Sequence, residues 1–267
     1  MSTSQNDRWS VSVRSVGQSL IRGPEVYWMD AWDEMLPLAF NVTVARRAEY
    51  VVLVNTSPPE PTTIVERNFP AMRYLHDAPA GDLVRDEVQT MRGALATLDL
   101  TPADVTHVLL TPLELYTTGT LHLFTEAQIC FTRRGWIHFH TTHEHPHDKR
   151  WRSFPQETLV ELVTDSWDRV RLLEDEDEVL PGLRTWWSGG HHRESMVVEI
   201  DTSVGVVAVS DTWFTYDNIE GGRMLGLNES FEEVLRCNER TLRSADHLIP
   251  IHEPRVFERY PGGEVAQ

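Results

Sequence analysis

Apolar and polar positions alternate from Val11 to Val16 and stop at Gly17, the pattern of a half-buried strand. Glu49 to Thr56 (EYVVLVNT) is a continuous apolar run instead, as expected of a strand covered on both faces. Val105 to Leu110 and Gln128 to Thr132 are further strand-like runs. Between Glu49–Thr56 and Val105–Leu110, Val88, Met91, Leu95 and Leu98 recur at helical spacing and predict a helix over Asp86 to Leu98, with a turn at Leu100–Asp104. Pro155 to Val163 predicts a short helix opened by proline. Arg169–Leu173 and Glu178–Thr185 each predict a strand. MVVEI and VGVVAV, on either side of Asp201-Thr202-Ser203, predict a hairpin. Phe231 to Leu242 has the spacing of an amphipathic helix, and His247 to Ile251 reads as a last strand. Two clusters of strands interleaved with helices place the chain in the α/β or α+β class.

Three segments stand apart from this pattern. Thr111 to Gly119 is a loop at the end of a buried strand, where polar groups are presented to a cleft, and it offers Glu114, Tyr116 and Thr117. Glu25 to Leu38 is aromatic and acidic, with Trp28, Trp32 and Met35 near helical spacing; it reads as a packing stripe, with the lining of a substrate cleft as the alternative. The stretch WIHFHTTHEHPHDKRW holds five of the twelve histidines. His138 and His140 alternate along a strand-like run and share a face there, while His143, His145 and His147 fall in a loop with Glu144 and Pro146. The exposed sequence around Pro146 favours a surface loop, with supply of metal ligands or a general base as the alternative.

The segment from Asp104 to Arg133 resembles the metal-binding loop of metallo-β-lactamase-fold hydrolases, and most closely that of the N-acyl homoserine lactonase group. In that group a strand ends in Thr, followed by His-x-His-x-Asp-His, a glycine and an Asn-His-Leu-Phe-like run. Thr111, Gly119 and His122-Leu123-Phe124 match without a gap, which puts Pro112, Glu114, Tyr116 and Thr117 at the ligand positions. The His-x-His-x-Asp-His motif is therefore degenerate. Three landmarks follow in order. Gly190-His191-His192-Arg193-Glu194-Ser195 stands where the group has Gly-His-Thr-x-Gly-Ser. Val204 to Glu220 resembles the strand that carries the metal-bridging Asp, here Asp211. HLIPIHEP matches the strand ending in the final His, here His252. Upstream, Asn55-Thr56-Ser57 replaces an Asp-Thr-Gly whose carboxylate supports the loop, and Asn55 is expected to hold it by hydrogen bonds. Phe214 stands where the lactonases have a tyrosine.

The resemblance implies an αββα sandwich and one domain over 1–267. It leaves Glu114, His191, Asp211 and His252 as the side chains able to meet around one metal ion, an oxygen-richer set than the usual zinc site and open to Fe, Mn or Zn. In a one-metal hydrolase Asp211 is expected as ligand and proton acceptor, with Tyr116 or a loop histidine as the acid. The expected function is hydrolysis of a small ester, lactone or amide with at most one ion. A mononuclear iron oxidoreductase and a metal-free binding protein stand as alternatives.

Charge and cysteine content narrow the partners. A net charge of −17 disfavours nucleic acid and anionic membranes, and leaves a small-molecule substrate. The acidic run Glu174–Glu178 reads as a solvated turn. Cys130 and Cys237 sit in patterned segments and read as buried thiols. With no apolar run of membrane-spanning length and no leader-like N-terminus, the expectation is a cytoplasmic protein; nine Trp give it apolar surface for a homo-oligomer.

Overall fold

The computed structural model describes residues 8–59, 89–141 and 154–267. Six strands come first: β1 (Ser10–Arg22), β2 (Met35–Arg47), β3 (Tyr50–Val54), β4 (His107–Leu109), β5 (Gln128–Thr132) and β6 (Val170–Leu173). β7 (Glu176–Leu180), β8 (Leu183–Trp187), β9 (Met196–Thr202), β10 (Gly205–Ser210) and β11 (His247–Pro250) form a second sheet, in the order β11-β10-β9-β8-β7. β12 (Glu264–Ala266) returns to the first, whose order is β12-β1-β2-β3-β4-β5-β6. β3 to β6 run parallel, as do β10 and β11, and the remaining pairs are antiparallel.

The continuous apolar run of β3 explains the layering. Val52 and Val54 face the second sheet, where they join Leu109 and Cys130 against Val198, Ile200, Val207, Val209 and Ile249. Val51 and Leu53 face the other way, into a core closed by Met91 and Leu95 of the 91–96 helix, Trp136 and Leu162. The outer face of the second sheet buries Trp186, Val197, Ala208 and Leu248 under Cys237 of the Phe231–Ser244 helix. Helix, sheet, sheet, helix is the αββα sandwich. Each fully buried branched side chain in these layers contributes about 1.5–3 kcal/mol. The sheets are also stitched by backbone, since Ala39 N and Asn41 N of β2 donate to the carbonyls of His252 and Ile251.

Several predicted elements take a different form. Glu178–Thr185 is two strands rather than one, because Pro181 offers no N–H and Gly182 turns the chain at φ +75°. Residues 136–140 are helical, not extended: the helix runs Arg133–His140, Thr132 caps it by accepting from Gly135 N, and Trp136 meets His140 one turn on at 4.3 Å. His138 and His140 therefore share no face, and His140 is exposed. The other three histidines of that cluster lie outside the described residues, as does the start of the helix predicted from Asp86, of which Met91–Ala96 is seen. The aromatic stripe is packed only in part, with Trp28 edge-on to Phe231 at 4.7 Å and Tyr27 and Leu38 buried. Only Gly23–Val26 is helical, Met29 and Ala31 have φ of +56° and +55°, and Trp28, Trp32 and Met35 are 50%, 61% and 38% exposed. The acidic run is partly strand, and Glu174, Asp175, Glu176 and Asp177 meet Arg133, Arg134, Arg240 and Arg171. Cys130 and Cys237 are buried free thiols.

Candidate functional site

The ends of β3, β4, β10 and β11 lie along one edge of the sandwich, so the residues that follow them share a crevice. β4 runs out through Leu110 to Thr111, β10 to Asp211, and β11 to His252. His191 comes from the loop between β8 and β9. That loop packs tightly on the Phe231–Ser244 helix: Gly190 has φ +81°, and a Cβ there would lie 2.9 Å from Val234 Cγ2. Glu233 accepts from Gly190 N at 3.0 Å and from both terminal nitrogens of Arg193.

Asp211 is the most enclosed polar group of the site. Thr111 Oγ1 donates to its Oδ1 and Ser195 Oγ to its Oδ2. The two hydroxyls are themselves fixed by backbone, for Thr111 Oγ1 accepts from Met196 N at 2.9 Å and Ser195 Oγ from His192 N at 3.0 Å. Burial pushes the Asp211 carboxyl up to about 6, against the pull of the two hydroxyls.

The imidazoles are neutral. His191 Nδ1 bonds the Leu227 carbonyl at 2.6 Å, and its Nε2 is buried without a partner among the described residues. Burial, then His192, drives its pKa well below the usual histidine value. His252 Nδ1 bonds the Ala39 carbonyl at 2.9 Å, and burial pushes it down to about 4. Burial, then His252 and Arg193, pushes His192 down to about 4 as well. Phe214 stands edge-on to both rings, 4.8 Å from His191 and 4.6 Å from His252. Tyr116 packs on the other side of His252 at 5.1 Å, where burial and then the Glu114 and Asp211 carboxylates hold its phenol proton in place. Beside Tyr116 and His252 is a crevice of about 10 Å³, the size of one water.

Glu114 caps the short Leu115–Thr118 helix, and hydroxyls knit its loop together. Thr117 Oγ1 donates to Pro112 O at 2.6 Å, Thr118 Oγ1 to Glu114 O at 2.7 Å, and Thr56 Oγ1 to Thr117 O at 2.8 Å. The Thr111–Pro112 bond is cis. Asn55 holds the loop as expected, by two hydrogen bonds to Thr111.

Tyr116 and His252 line that crevice, whereas His191 reaches His252 only through Phe214 and Asp211 is enclosed behind its two hydroxyl partners. Among the described residues, however, no three His, Cys, Asp or Glu side chains are grouped to hold an ion. The carboxylate that would complete the set is held by Thr111 and Ser195, and Phe214 lies against both imidazoles. As placed, this donor set does not fit a preformed metal centre. Sequence reasoning missed Thr111 and Ser195 as partners of Asp211, because they lie 100 and 16 residues away along the chain.

No protein-family model and no curated protein matches the sequence. Solved structures do match. An N-acyl homoserine lactone hydrolase with the product N-hexanoyl-L-homoserine at its catalytic metal center is 17% identical, covers 95% of this chain and 96% of its own, and has a TM-score of 0.71. A probable metal-dependent hydrolase from Staphylococcus aureus is 14% identical over 92% of this chain and 90% of its own, with a TM-score of 0.70. AbOPH, a hydrolase in the beta lactamase superfamily, is 9% identical over 95% and 89%, with a TM-score of 0.63. The chain has the metallo-β-lactamase fold.

Proposed function

We propose that this chain is a hydrolase-like protein that takes a small ester, lactone or amide at the crevice beside Tyr116 and His252, which must widen beyond its one-water size to admit it. One observation carries the reading: Nε2 of His191 is buried with no partner among the described residues, on a ring that meets Phe214 edge-on. An unmet buried polar atom costs about 1–3 kcal/mol, and a ligand atom placed there recovers it. The similar lactone hydrolase, whose product sits at its metal center, supports a carbonyl compound as the ligand class.

The chain's own residues define what can be done there. Tyr116 keeps its proton and serves as a donor to a carbonyl oxygen. His252 is neutral and accepts a proton from water, but a ring held at about 4 is a weak base. Unaided chemistry is therefore confined to activated esters and strained lactones. No step is assigned to a metal.

The test is turnover of nitrophenyl esters, lactones and anilides by wild type and His191→Ala, with and without Fe(II), Mn(II) or Zn(II), alongside elemental analysis. Hydrolysis that disappears in the variant supports the reading, and no turnover under any condition overturns it. The hydroxyl clamp on Asp211 favours a second reading, a metal-free binding protein. That reading predicts ligand binding by calorimetry, lost in His191→Ala, without product.

A further inference from the structure

We infer that the cleft between the Arg133–His140 helix, β8 and the Phe231–Ser244 helix is a second binding site, for a small phosphate-bearing anion. The cleft encloses about 530 Å³, within the range of small-molecule pockets. Four arginines and two glutamates line it, in a chain whose net charge is −17. Arg236, Arg240 and Arg243 follow one another at spacings of four and three, so they share a face of their helix. Arg134 joins them from the helix across the cleft.

Two indoles fix the guanidinium planes. Arg134 lies 3.9 Å over Trp187 and Arg240 lies 4.2 Å over Trp186. A guanidinium carries five N–H donors, and these four keep most of theirs. Arg240 gives one to Glu176 and Arg134 gives two to Asp175. Arg236 and Arg243 meet Glu232 and Glu239 only at 3.7 and 3.5 Å, as exposed pairs on one helix that contribute little. The cleft's innermost acid, Glu233, is already engaged by Arg193 and Gly190 N. Forked guanidinia with spare donors match the oxygens of a phosphate better than a single carboxylate.

The surrounding negative charge limits the ligand's size. Each of the four arginines also faces an acid, Asp175, Glu176, Glu232 or Glu239, so the cleft offers forked donors rather than a broad positive field, and a nucleic acid strand would extend past them into the acidic surface. The fit is to a compact anion such as a diphosphate, with or without a ring to lie on the tryptophans.

Calorimetric titration of the full chain with pyrophosphate, ADP and sulfate, at physiological salt, tests the site. The comparison is with Arg236→Ala/Arg243→Ala, whose side chains are 63% and 69% exposed and leave the core untouched. Expected is saturable 1:1 binding of pyrophosphate or ADP that weakens by about tenfold or more in the double variant, as for loss of one or two charge-assisted hydrogen bonds. Binding of ADP alone assigns the site to a nucleotide, and binding of both to the phosphate groups. No binding by wild type at millimolar ligand, equal binding by the variant, or sulfate bound as tightly as pyrophosphate overturns the assignment.

Discussion

Asn55 and Thr111 hold each other by two hydrogen bonds across the ends of neighbouring parallel strands. Thr111 N donates to Asn55 Oδ1 at 2.8 Å, and Asn55 Nδ2 donates to the Thr111 carbonyl at 2.9 Å. An amide side chain can do both at neutral pH, where an ionised carboxylate cannot. Thr111, so fixed, gives its hydroxyl to Asp211, which takes a second from Ser195. Asn55, Thr111, Asp211 and Ser195 therefore tie the first sheet to the second with neutral donors, in the place where the lactonase resemblance implies metal.

Asn55→Asp tests that tie. A carboxylate keeps the acceptor for Thr111 N but leaves the Thr111 carbonyl without its donor and buries a charge against it. The variant should lose about 2–3 kcal/mol near neutral pH, measured as a lower urea midpoint. Near pH 4 the deficit should shrink, because a protonated Asp can donate again. An unchanged midpoint at pH 7 would contradict the role given to Asn55.

The buried imidazoles predict an acid-sensitive fold for the protein without bound metal. His252 is pushed from 6.5 down to about 4, and burial, then His192, holds His191 well below the usual value, so the unfolded chain binds protons that the fold refuses as pH falls from 6.5 to 4. Stability must drop over that window. Asp211 acts in the opposite sense, since between 3.8 and about 6 the fold retains a proton the unfolded chain has lost. Asp211→Asn removes the opposing contribution and should steepen the acid loss. Urea midpoints for both proteins at small pH steps check this, and a wild-type curve that is flat or rises toward acid would refute it.

Ser195→Ala isolates one of the two hydroxyls. The hydrogen bond from Ser195 favours the charged carboxylate, so its removal should raise the Asp211 pKa above about 6, read by carboxyl-carbon NMR titration. Stability should fall by about 1–3 kcal/mol at pH 7, because one carboxylate oxygen is left buried and unmet.

Much of the sandwich could be read in the chain because its signals are local. β5 matches its apolar run residue for residue, and the Phe231–Ser244 helix extends the predicted one by two residues. The positions of Asp211 and His252 came from the family resemblance, and both follow strand ends, β10 and β11. What resisted reading depends on tertiary contact or backbone geometry. Thr132 as a cap turned an alternating His138/His140 pattern into a helix, and Gly182 at positive φ split a strand. Phe214 between two imidazoles, and the two hydroxyls on Asp211, come from three separate segments, so no spacing announces them.

Arg193 sets the geometry of the His191 loop, and its removal is the most direct way to loosen that loop without touching the crevice. Its guanidinium bonds Glu229 and Glu233, and Glu233 in turn accepts from Gly190 N. Burial alone would push the Glu233 carboxyl up, but the bonds from Arg193 and Gly190 outweigh it and hold the pKa below the usual value. Arg193→Ala strips Glu233 of its partner while leaving Val234 packed under Gly190. The expected loss is about 1–3 kcal/mol, from a partly buried charge left unpaired. Hydrogen exchange should quicken at residues 189–192 and stay unchanged in β9 and β10, and Arg193→Lys should restore part of the protection but not the two-pronged grip. Equal protection of the loop in wild type and Arg193→Ala would show that the Gly190–Val234 packing, rather than the ion pair, fixes His191.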